Sequence, residues 1–335
     1  MKDIATAVDP AAILVALPTL NEEAHVGATL EALMGDDPEM RKVRIVVADG
    51  GSTDRTRAIV AEHAARHDNI RLVDNRARLQ AAAVNLVAER CADPQHAVLV
   101  RVDAHAVYPP DYVRSVADSL LRHEADGLAT VMDSVGASGF QRGAARAVGC
   151  WLGTGGSRHR GGTRSGWVDH GHHAGFLLEA WRGVGGYDAG FVANEDAELD
   201  HRLGRAGRRI WLDATIRIGY VMRDTPGRLA RQYWRYGIGR AQTILTHRMR
   251  PRLRQVIPPL CAAANLAGLL AAPLWPGMLA LPALYLLLVA GVTAQLVARH
   301  REACTLWAGP ALIVMHHGWG LGFIARLCGL AGGGR

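Results

Sequence analysis

The sequence predicts an α/β domain on a mainly parallel central sheet, followed by helices that cross a membrane. Two observations carry this. Over the first half of the chain, short apolar runs end in acids and alternate with helical stretches, the pattern of strand–turn–helix units joined by right-handed crossovers. From residue 255 to 298, a stretch of 44 residues, no side chain is charged.

The elements follow in order. Residues 12–17 (AILVAL) read as the first strand, and PTLNE at 18–22 turns the chain into a helix over 23–34. Residues 43–48 (VRIVVA) form a second strand, closed by DGGSTD at 49–54 and followed by a helix to 67. Residues 70–74 give a short third strand, 79–91 a helix, and 97–102 a fourth strand. Its nearly continuous apolar run is that of a strand buried on both faces. A helix over 111–123 leads to a strand at 127–135 and a helix at 140–148. Residues 153–166 hold six glycines in fourteen positions and are expected to form a mobile loop. A strand at 175–178, a GGYD turn at 185–188, a helix over 196–205 and two strands, 210–212 and 216–222, complete a domain spanning 1–224. No repeat of 20–50 residues is visible.

Beyond it, 225–254 reads as a basic amphipathic segment and 255–335 as a membrane domain of two to three transmembrane helices. Residues 256–275 and 277–298 are each long enough to cross a bilayer core of ~30 Å at ~1.5 Å per residue. Pro273, Pro276 and Gly277 mark the turn between them, and His316 and His317 interrupt a third segment at 306–324. Removing 255–335 is expected to leave a soluble, poorly active domain.

Charge is unevenly placed. The net +7 conceals 26 basic against 30 acidic residues over 1–224, while 225–254 carries eight arginines and no acid. This excludes a nucleic-acid face on the main domain. Gln232, Trp234 and Arg235 lie in that belt within QYWRYG, and aromatics interleaved with arginine suit a helix lying on anionic membrane lipid. Positive-inside placement puts the arginine belt and the large domain on the cytoplasmic side. Five cysteines without CxxC spacing fit free thiols in a reducing compartment. The polar stretch 1–10 gives no expectation of a signal peptide.

Chemistry concentrates where strands end. Asp103 and His105 follow the fourth strand, where ligands of open α/β sheets bind, and together suit a divalent metal that bridges to a diphosphate. Asp49 closes the second strand, where a carboxylate can accept the N3–H of a uracil or the hydroxyls of a ribose. Ser52, Thr53 and Asp54 carry the chemistry of helix N-caps. The turn lacks the GK[ST] of a phosphate loop and the full GxGxxG of a dinucleotide fold. Asn21, Glu22 and Glu23 sit where acids favour a helix start in any case. Asn194, Glu195, Asp196, Glu198 and Asp200 give five polar residues in seven, and a carboxylate at a helix start in a cleft suits a general base. DHGHH at 169–173 lacks the separated partner that zinc needs. His172 and His173 are instead expected to line a pocket, with simple loop exposure as the alternative.

Taken together, PTLNE at 18–22, DGGSTD at 49–54, DAH at 103–105 and NEDAELDHRL at 194–203 resemble a GT-A glycosyltransferase of family 2, in order, over roughly 11–245. RVDAHA, VDHGHHAGF and QYWRYGIGR are most similar to its succinoglycan-type membrane glucosyltransferases. The resemblance implies a GT-A fold and inverting transfer of a hexose, glucose above others, from a UDP-sugar to a polyprenyl-linked saccharide in exopolysaccharide or envelope glycan synthesis. It places Pro18, Thr19, Asn21, Glu22, Asp49 and Asp103 around the nucleotide sugar. Asp103 and His105 then stand at the DxD metal motif, and Asp196, beside Glu195, is the catalytic base. His172, His173, Gln232, Trp234 and Arg235 are assigned to the acceptor side. His105 stands where the family has an acid, so Mn²⁺ is expected to serve better than Mg²⁺. Charging of a bare polyprenyl phosphate, and a non-catalytic nucleotide-binding scaffold, remain the alternatives.

Overall fold

A computed structural model describes residues 7–331. Residues 1–6, most of the polar N-terminal stretch, and 332–335, the end of the C-terminal segment, lie outside the described residues. In chain order the elements are β1 (Ile13–Thr19), α1 (Val26–Met34), β2 (Arg44–Asp49), α2 (Thr56–Ala64), β3 (Ile70–Asp74), α3 (Gln80–Arg90) and β4 (Val98–Arg101). Then come β5 (Ala106–Val107), α4 (Tyr112–Arg122), β6 (Gly127–Val135), α5 (Gly139–Gly149), α6 (Trp151–Thr154), β7 (Gly166–Val168), β8 (His172–Leu177) and α7 (Leu178–Gly183). The remainder is α8 (Glu195–Arg205), β9 (Ile210–Val221), α9 (Pro226–His247), α10 (Leu253–Ala271), α11 (Ala280–His300) and α12 (Ala308–Leu327).

The chain forms two compact units. The first comprises Met1–Asp133, Gly161–Ala189 and Glu195–Tyr220, the second Ser134–Arg160, Gly190–Asn194 and Val221–Arg335. This division does not follow the linear boundary at 224, because 134–160 and 190–194 go with the C-terminal helices.

In the first unit the strand order is β3-β2-β1-β4-β8-β6-β9-β5, with β7 on β9. β1 lies parallel to both β2 and β4, and β2 parallel to β3. Past β4 the ladders with β8, and those of β6 with β8 and of β5 and β7 with β9, are antiparallel. The sheet is therefore mixed, with its parallel half where the strand–helix units were expected. Alternation along β1 explains the layers. Ile13, Val15 and Leu17 pack with Val26 and Leu30 of α1 and Val116 and Leu120 of α4 on one face. Leu14 and Ala16 pack with Val84 and Val87 of α3 and Leu199 and Leu203 of α8 on the other. Each such buried Val or Leu contributes about 1.5–3 kcal/mol relative to exposure.

Three expectations change here. Residues 210–222 hold one strand, not two, because Asp213 does not break the run: it accepts hydrogen bonds from Ser119 Oγ (2.6 Å) and from Thr215 N–H and Oγ1 (3.0 and 2.6 Å). The strand expected at 175–178 begins at His172, so His172 and His173 lie on β8 and not in a loop. The glycine-rich stretch is also partly built, with Gly153 inside α6 and Gly166 opening β7.

The second unit is helical. Its centre is α12, which packs against α9, α10 and α5 and exposes little of its length. α9 and α12 touch backbone to backbone. A Cβ on Gly237 would stand 2.0 Å from the Trp319 carbonyl oxygen, and one on Gly322 2.2 Å from that of Trp234. Such approach is open only to glycine, as in small-residue helix crossings. Among the described residues two stretches are long and apolar enough to cross a membrane, Leu253–Ala271 and Pro276–His300, and both turn leucines outward, among them Leu260, Leu270, Leu284 and Leu287. The third apolar segment is instead the enclosed post α12. Its histidines are satisfied within the bundle, His316 by Tyr285 Oη (3.0 Å) and the Leu152 carbonyl (2.9 Å), His317 by Asn265 (3.1 Å) and the Ile313 carbonyl (2.9 Å).

Candidate active site

The site grows from the carboxyl ends of β1, β2 and β4 and the first turn of α8, all in the first unit. Thr19 and Asp49 are the last rung of the β1–β2 ladder. Asp49 is buried, and its Oδ2 accepts the N–H groups of Gly51 and Ser52 and the Arg57 guanidinium, each at 3.0 Å. Its Oδ1 accepts Ser52 Oγ (2.5 Å) and Thr19 Oγ1 (3.3 Å). Burial pushes this carboxyl up, but the bonds from Ser52, Arg57 and Gly51 outweigh it and hold it below its ordinary range. Five donors on about four lone-pair sites make Asp49 the knot of the turn.

The PTLNEE and DGGSTD loops are stitched together by backbone-to-side-chain bonds. Asn21 N–H donates to Ser52 Oγ (2.8 Å), Glu22 N–H to Thr56 Oγ1 (2.8 Å) and Glu23 N–H to Asp54 (3.1 Å). In return Thr53 N–H donates to Asn21 Oδ1 (2.9 Å) and Arg55 N–H to Glu23 (3.0 Å). Asn21 reaches this geometry at φ 56°, a left-handed value Asn tolerates. Pro18, three residues earlier, is paired with Ala48. None of the three residues read as caps is the N-cap of α2, which is Arg55 and has no side-chain cap bond; Asp54, one residue before it, accepts Thr56 N–H at 3.0 Å and Thr56 Oγ1 at 2.6 Å.

Asp103, just past β4, receives Gln80 Nε2 (2.5 Å) and Arg101 Nε (3.4 Å) on Oδ1, while its N–H donates to Tyr108 Oη (2.6 Å). Its Oδ2 lies 4.0 Å from His172 Nε2. Burial raises this carboxyl, yet the charges of Arg101, His172 and His105 bring it below its usual value. His105 meets Glu22 Oε1 through Nδ1 at 3.0 Å.

Arg101, which sequence reasoning passed over, is the hinge of the site. It is 5% exposed and reaches Asp103, Asp196 (2.5 Å) and, at 3.9 Å, Glu195. Its signal was a lone charge inside the apolar run 97–102. Asp196 Oδ1 also accepts Tyr187 Oη (2.9 Å) and faces His173 Nδ1 (3.3 Å). His173 Nε2 pairs with Asp200 Oδ1 (2.6 Å), and Asp200 Oδ2 with His170 (2.6 Å). Asp196 and Asp200 share one face of α8 because they are four residues apart.

Burial alone would lower His173, but the carboxylates of Asp200 and Asp196 push it up to about 10. Burial raises Asp196 too, and Arg101 and His173 overcome that and hold it well below its ordinary range. Glu195 goes the other way: burial, then the Asp196 charge, push it up to about 7.

Contacts thus run from Asp49 through Ser52 to the Asn21–Glu22 loop, on to His105, and from Asp103 through Arg101 to the acid pair. His173 is 1% exposed, so it does not line a pocket as expected, whereas His172 stays partly open beside Asp103. Gln232, Trp234 and Arg235 belong to α9 of the second unit, where Gln232 bonds Tyr236 Oη (3.1 Å) and Trp234 is 38% exposed.

Among the described residues no three His, Cys, Asp or Glu side chains are arranged to hold a metal by themselves. A carboxylate with imidazoles close by fits a divalent ion whose remaining ligands come from a substrate diphosphate.

Residues 14–182, half of the chain, match the family model described as "Glycosyl transferase family 2". The chain is 40% identical over 315 residues, 94% of each protein, to the succinoglycan biosynthesis protein ExoA of Rhizobium meliloti (strain 1021). It is 22% identical over 242 residues, 69% of this chain and 74% of the relative, to a Methanococcus voltae protein. That relative is the dolichyl N-acetyl-alpha-D-glucosaminyl phosphate 3-beta-D-2,3-diacetamido-2,3-dideoxy-beta-D-glucuronosyltransferase. Among solved structures it resembles the mannosyltransferase PcManGT of Pyrobaculum calidifontis, captured with GDP-mannose and Mn²⁺. The TM-score is 0.58 and the identity 20%, over 95% of this chain and 88% of the other.

Proposed function

Because the chain belongs to glycosyl transferase family 2 and is a glycosyltransferase, we propose that it moves a hexose, glucose in our reading, from a UDP-sugar to a polyprenyl-linked saccharide during exopolysaccharide assembly. The observation that carries the reading is Arg101. One buried guanidinium joins the acid beyond β4 to the acid pair opening α8, so a diphosphate at Asp103 and an acceptor hydroxyl at the acid pair would lie within one sugar's reach. The likeness to a succinoglycan biosynthesis protein supports the choice of an exopolysaccharide.

The chain's own residues do the following. The stitched 18–23 and 49–56 loops hold a rigid rim for the nucleotide. Asp103 and the imidazole of His105, together with a substrate diphosphate, would hold a divalent ion, Mn²⁺ before Mg²⁺ for a mixed oxygen and nitrogen set, and the Mn²⁺ captured in the solved mannosyltransferase supports it. Bound there, it supplies charge neutralisation for the leaving diphosphate. At the acid pair a carboxylate takes the proton from the acceptor oxygen as that oxygen attacks the anomeric carbon, inverting it in one displacement.

The outward-facing leucines of α10 and α11 and the arginines of 225–254 support residence at an anionic bilayer, in our reading a bacterial inner membrane with the catalytic residues on the cytoplasmic side. Membranes given radiolabelled UDP-sugars test the whole. Label is expected on lipid only when a preformed lipid-linked saccharide is added. Label on bare polyprenyl phosphate would move the enzyme to lipid charging, and no label with any UDP-sugar would overturn the reading.

A further inference from the structure

We propose that His173, backed by Asp200, is a positioning residue for Asp196: it fixes the Oδ1 atom of that carboxylate so that Oδ2 is presented to the acceptor hydroxyl. The proposal rests on the sugar-transfer reading above, with Asp196 as the member of the acid pair that takes the proton.

Exposure separates the roles. Asp196 keeps 19% of its side chain open, whereas His173 and Asp200 are buried. The imidazole and the carboxylate behind it are shut away from any substrate, so what they do for the reaction passes through Asp196.

Three donors converge on one atom. Asp196 Oδ1 accepts Arg101 Nη1 (2.5 Å) and Tyr187 Oη (2.9 Å), and His173 Nδ1 stands 3.3 Å away. Tyr187 Oη spends its proton there and accepts from Arg101 (2.8 Å) and from His173 Nδ1 (2.9 Å), which uses its one donor and both its lone pairs. On its far side His173 meets Asp200 Oδ1 through Nε2 at 2.6 Å, and Asp200 Oδ2 meets His170 at 2.6 Å. Ionised carboxylates only accept, so both ring nitrogens of His173 donate. The ring then carries the charge that its two acidic neighbours favour. Buried networks satisfied in this way rigidify what they hold.

The supports are regular elements. His173 lies on β8 opposite Ala129 of β6, two residues before the Gly175–Val100 rung that joins β8 to β4. Asp196 and Asp200 stand one turn apart on α8. The imidazole thus ties the carboxylate to the sheet as well as to its own helix, and strands and helices place a group more finely than loops do. None of the three contacts engages Oδ2. In the step itself Oδ2 accepts the hydroxyl proton and the acceptor oxygen bonds the anomeric carbon. The bond to the diphosphate breaks, its electron pair leaving with the nucleoside diphosphate.

The test uses the full chain in detergent and replaces the imidazole from either end. In His173→Asn the amide nitrogen stands near the place of Nδ1, towards Asp196; in His173→Gln it stands near that of Nε2, towards Asp200. Melting temperature is expected to rank Gln above Asn, because Gln keeps the bond to Asp200. Transfer from UDP-sugar is expected to rank them the other way. His173→Gln should lower kcat by ~10–10²-fold, the scale of a misplaced reacting group, with KM for the UDP-sugar and calorimetric UDP affinity kept within a few-fold. A kcat that follows melting temperature, with Gln at or above Asn, would overturn the assignment and leave the pair a structural tie. So would a change confined to KM. Should neither variant fold, Asp200→Asn takes their place: it still accepts from Nε2 but lets the ring go neutral, so that Nδ1 no longer donates to Asp196. Its kcat should fall by ~10-fold at unchanged UDP affinity, and an unaltered kcat would equally overturn the assignment. A wild type that binds UDP yet transfers to nothing would instead bring down the sugar-transfer reading, and this assignment with it.

Discussion

Arg101 donates to Asp196 across 2.5 Å at the buried meeting point of β4 and α8. Among the described residues the guanidinium is the one cation that touches Asp103, Asp196 and Glu195 together. Replacing it with Met would leave three buried carboxylates repelling one another. Removing one partner of a buried ion pair costs about 3–5 kcal/mol, and Arg101→Met is expected to lose that much in denaturant titration and to abolish transfer. A loss below 1 kcal/mol (well under the usual range) would show that the charge is dispensable.

The His173–Asp200 pair sets a pH dependence of stability. His173 stands at about 10 against an ordinary 6.5, so its contribution is fully present below 6.5 and is lost as pH rises to about 10. Asp200 is lowered despite burial, by His173 and His170, so its contribution is lost on the acid side as pH falls below the ordinary carboxylate range. Melting temperature should therefore decline from neutral pH towards 10 in the wild type, and His173→Gln should flatten that decline. An equal slope in both proteins would remove the pair as its cause.

Packing between α9 and α12 gives a sharp contrast within one helix. Gly237→Ala places a methyl group 2.0 Å from the Trp319 carbonyl, with rigid backbone on both sides, and overpacking of this kind costs about 1–3 kcal/mol or more. Gly227→Ala, ten residues earlier on α9, meets nothing within 4 Å and should be neutral or mildly stabilising. Thermal unfolding of the two variants in detergent checks this, and equal melting temperatures would contradict the packing account.

Metal dependence should reside in Asp103. Asp103→Asn is expected to remove the Mn²⁺-dependent part of UDP binding in calorimetry, and chelation of wild-type protein should have the same effect. Identical titrations with and without Mn²⁺ would exclude a metal at that carboxylate.

Deleting 255–335 should give an insoluble fragment, contrary to the expectation from sequence. Gly143 of α5 lies so close to the 304–307 turn that a Cβ there would stand 2.5 Å from Trp307 Cβ, and α9 would lose α12 altogether. The deletion therefore bares apolar faces on helices that precede the cut. A monomeric fragment in size-exclusion chromatography would show that those faces tolerate water.

The parallel strands were legible because strands buried on both faces are written as continuous apolar runs, as at 13–17 and 98–100. β9 was misread because Asp213 looks like a break until Ser119 and Thr215 are seen to satisfy it. That α5 belongs with helices more than 100 residues later is invisible locally, since only tertiary contact places Gly143 beside Trp307. The acids of the site announced themselves at strand ends and a helix start. Their hydrogen-bond partners did not: Tyr187, His170 and the charge state of His173 follow from distances between distant segments, which one sequence does not encode visibly.

The saturation of Asp49 bears on any attempt to retarget this enzyme to another nucleobase. Swapping the residue at position 49 would unravel the turn before it altered recognition, because every oxygen lone pair there is already spent on keeping the loop in shape. Randomisation aimed at base preference belongs on neighbouring side chains that face outward, with this carboxylate left untouched.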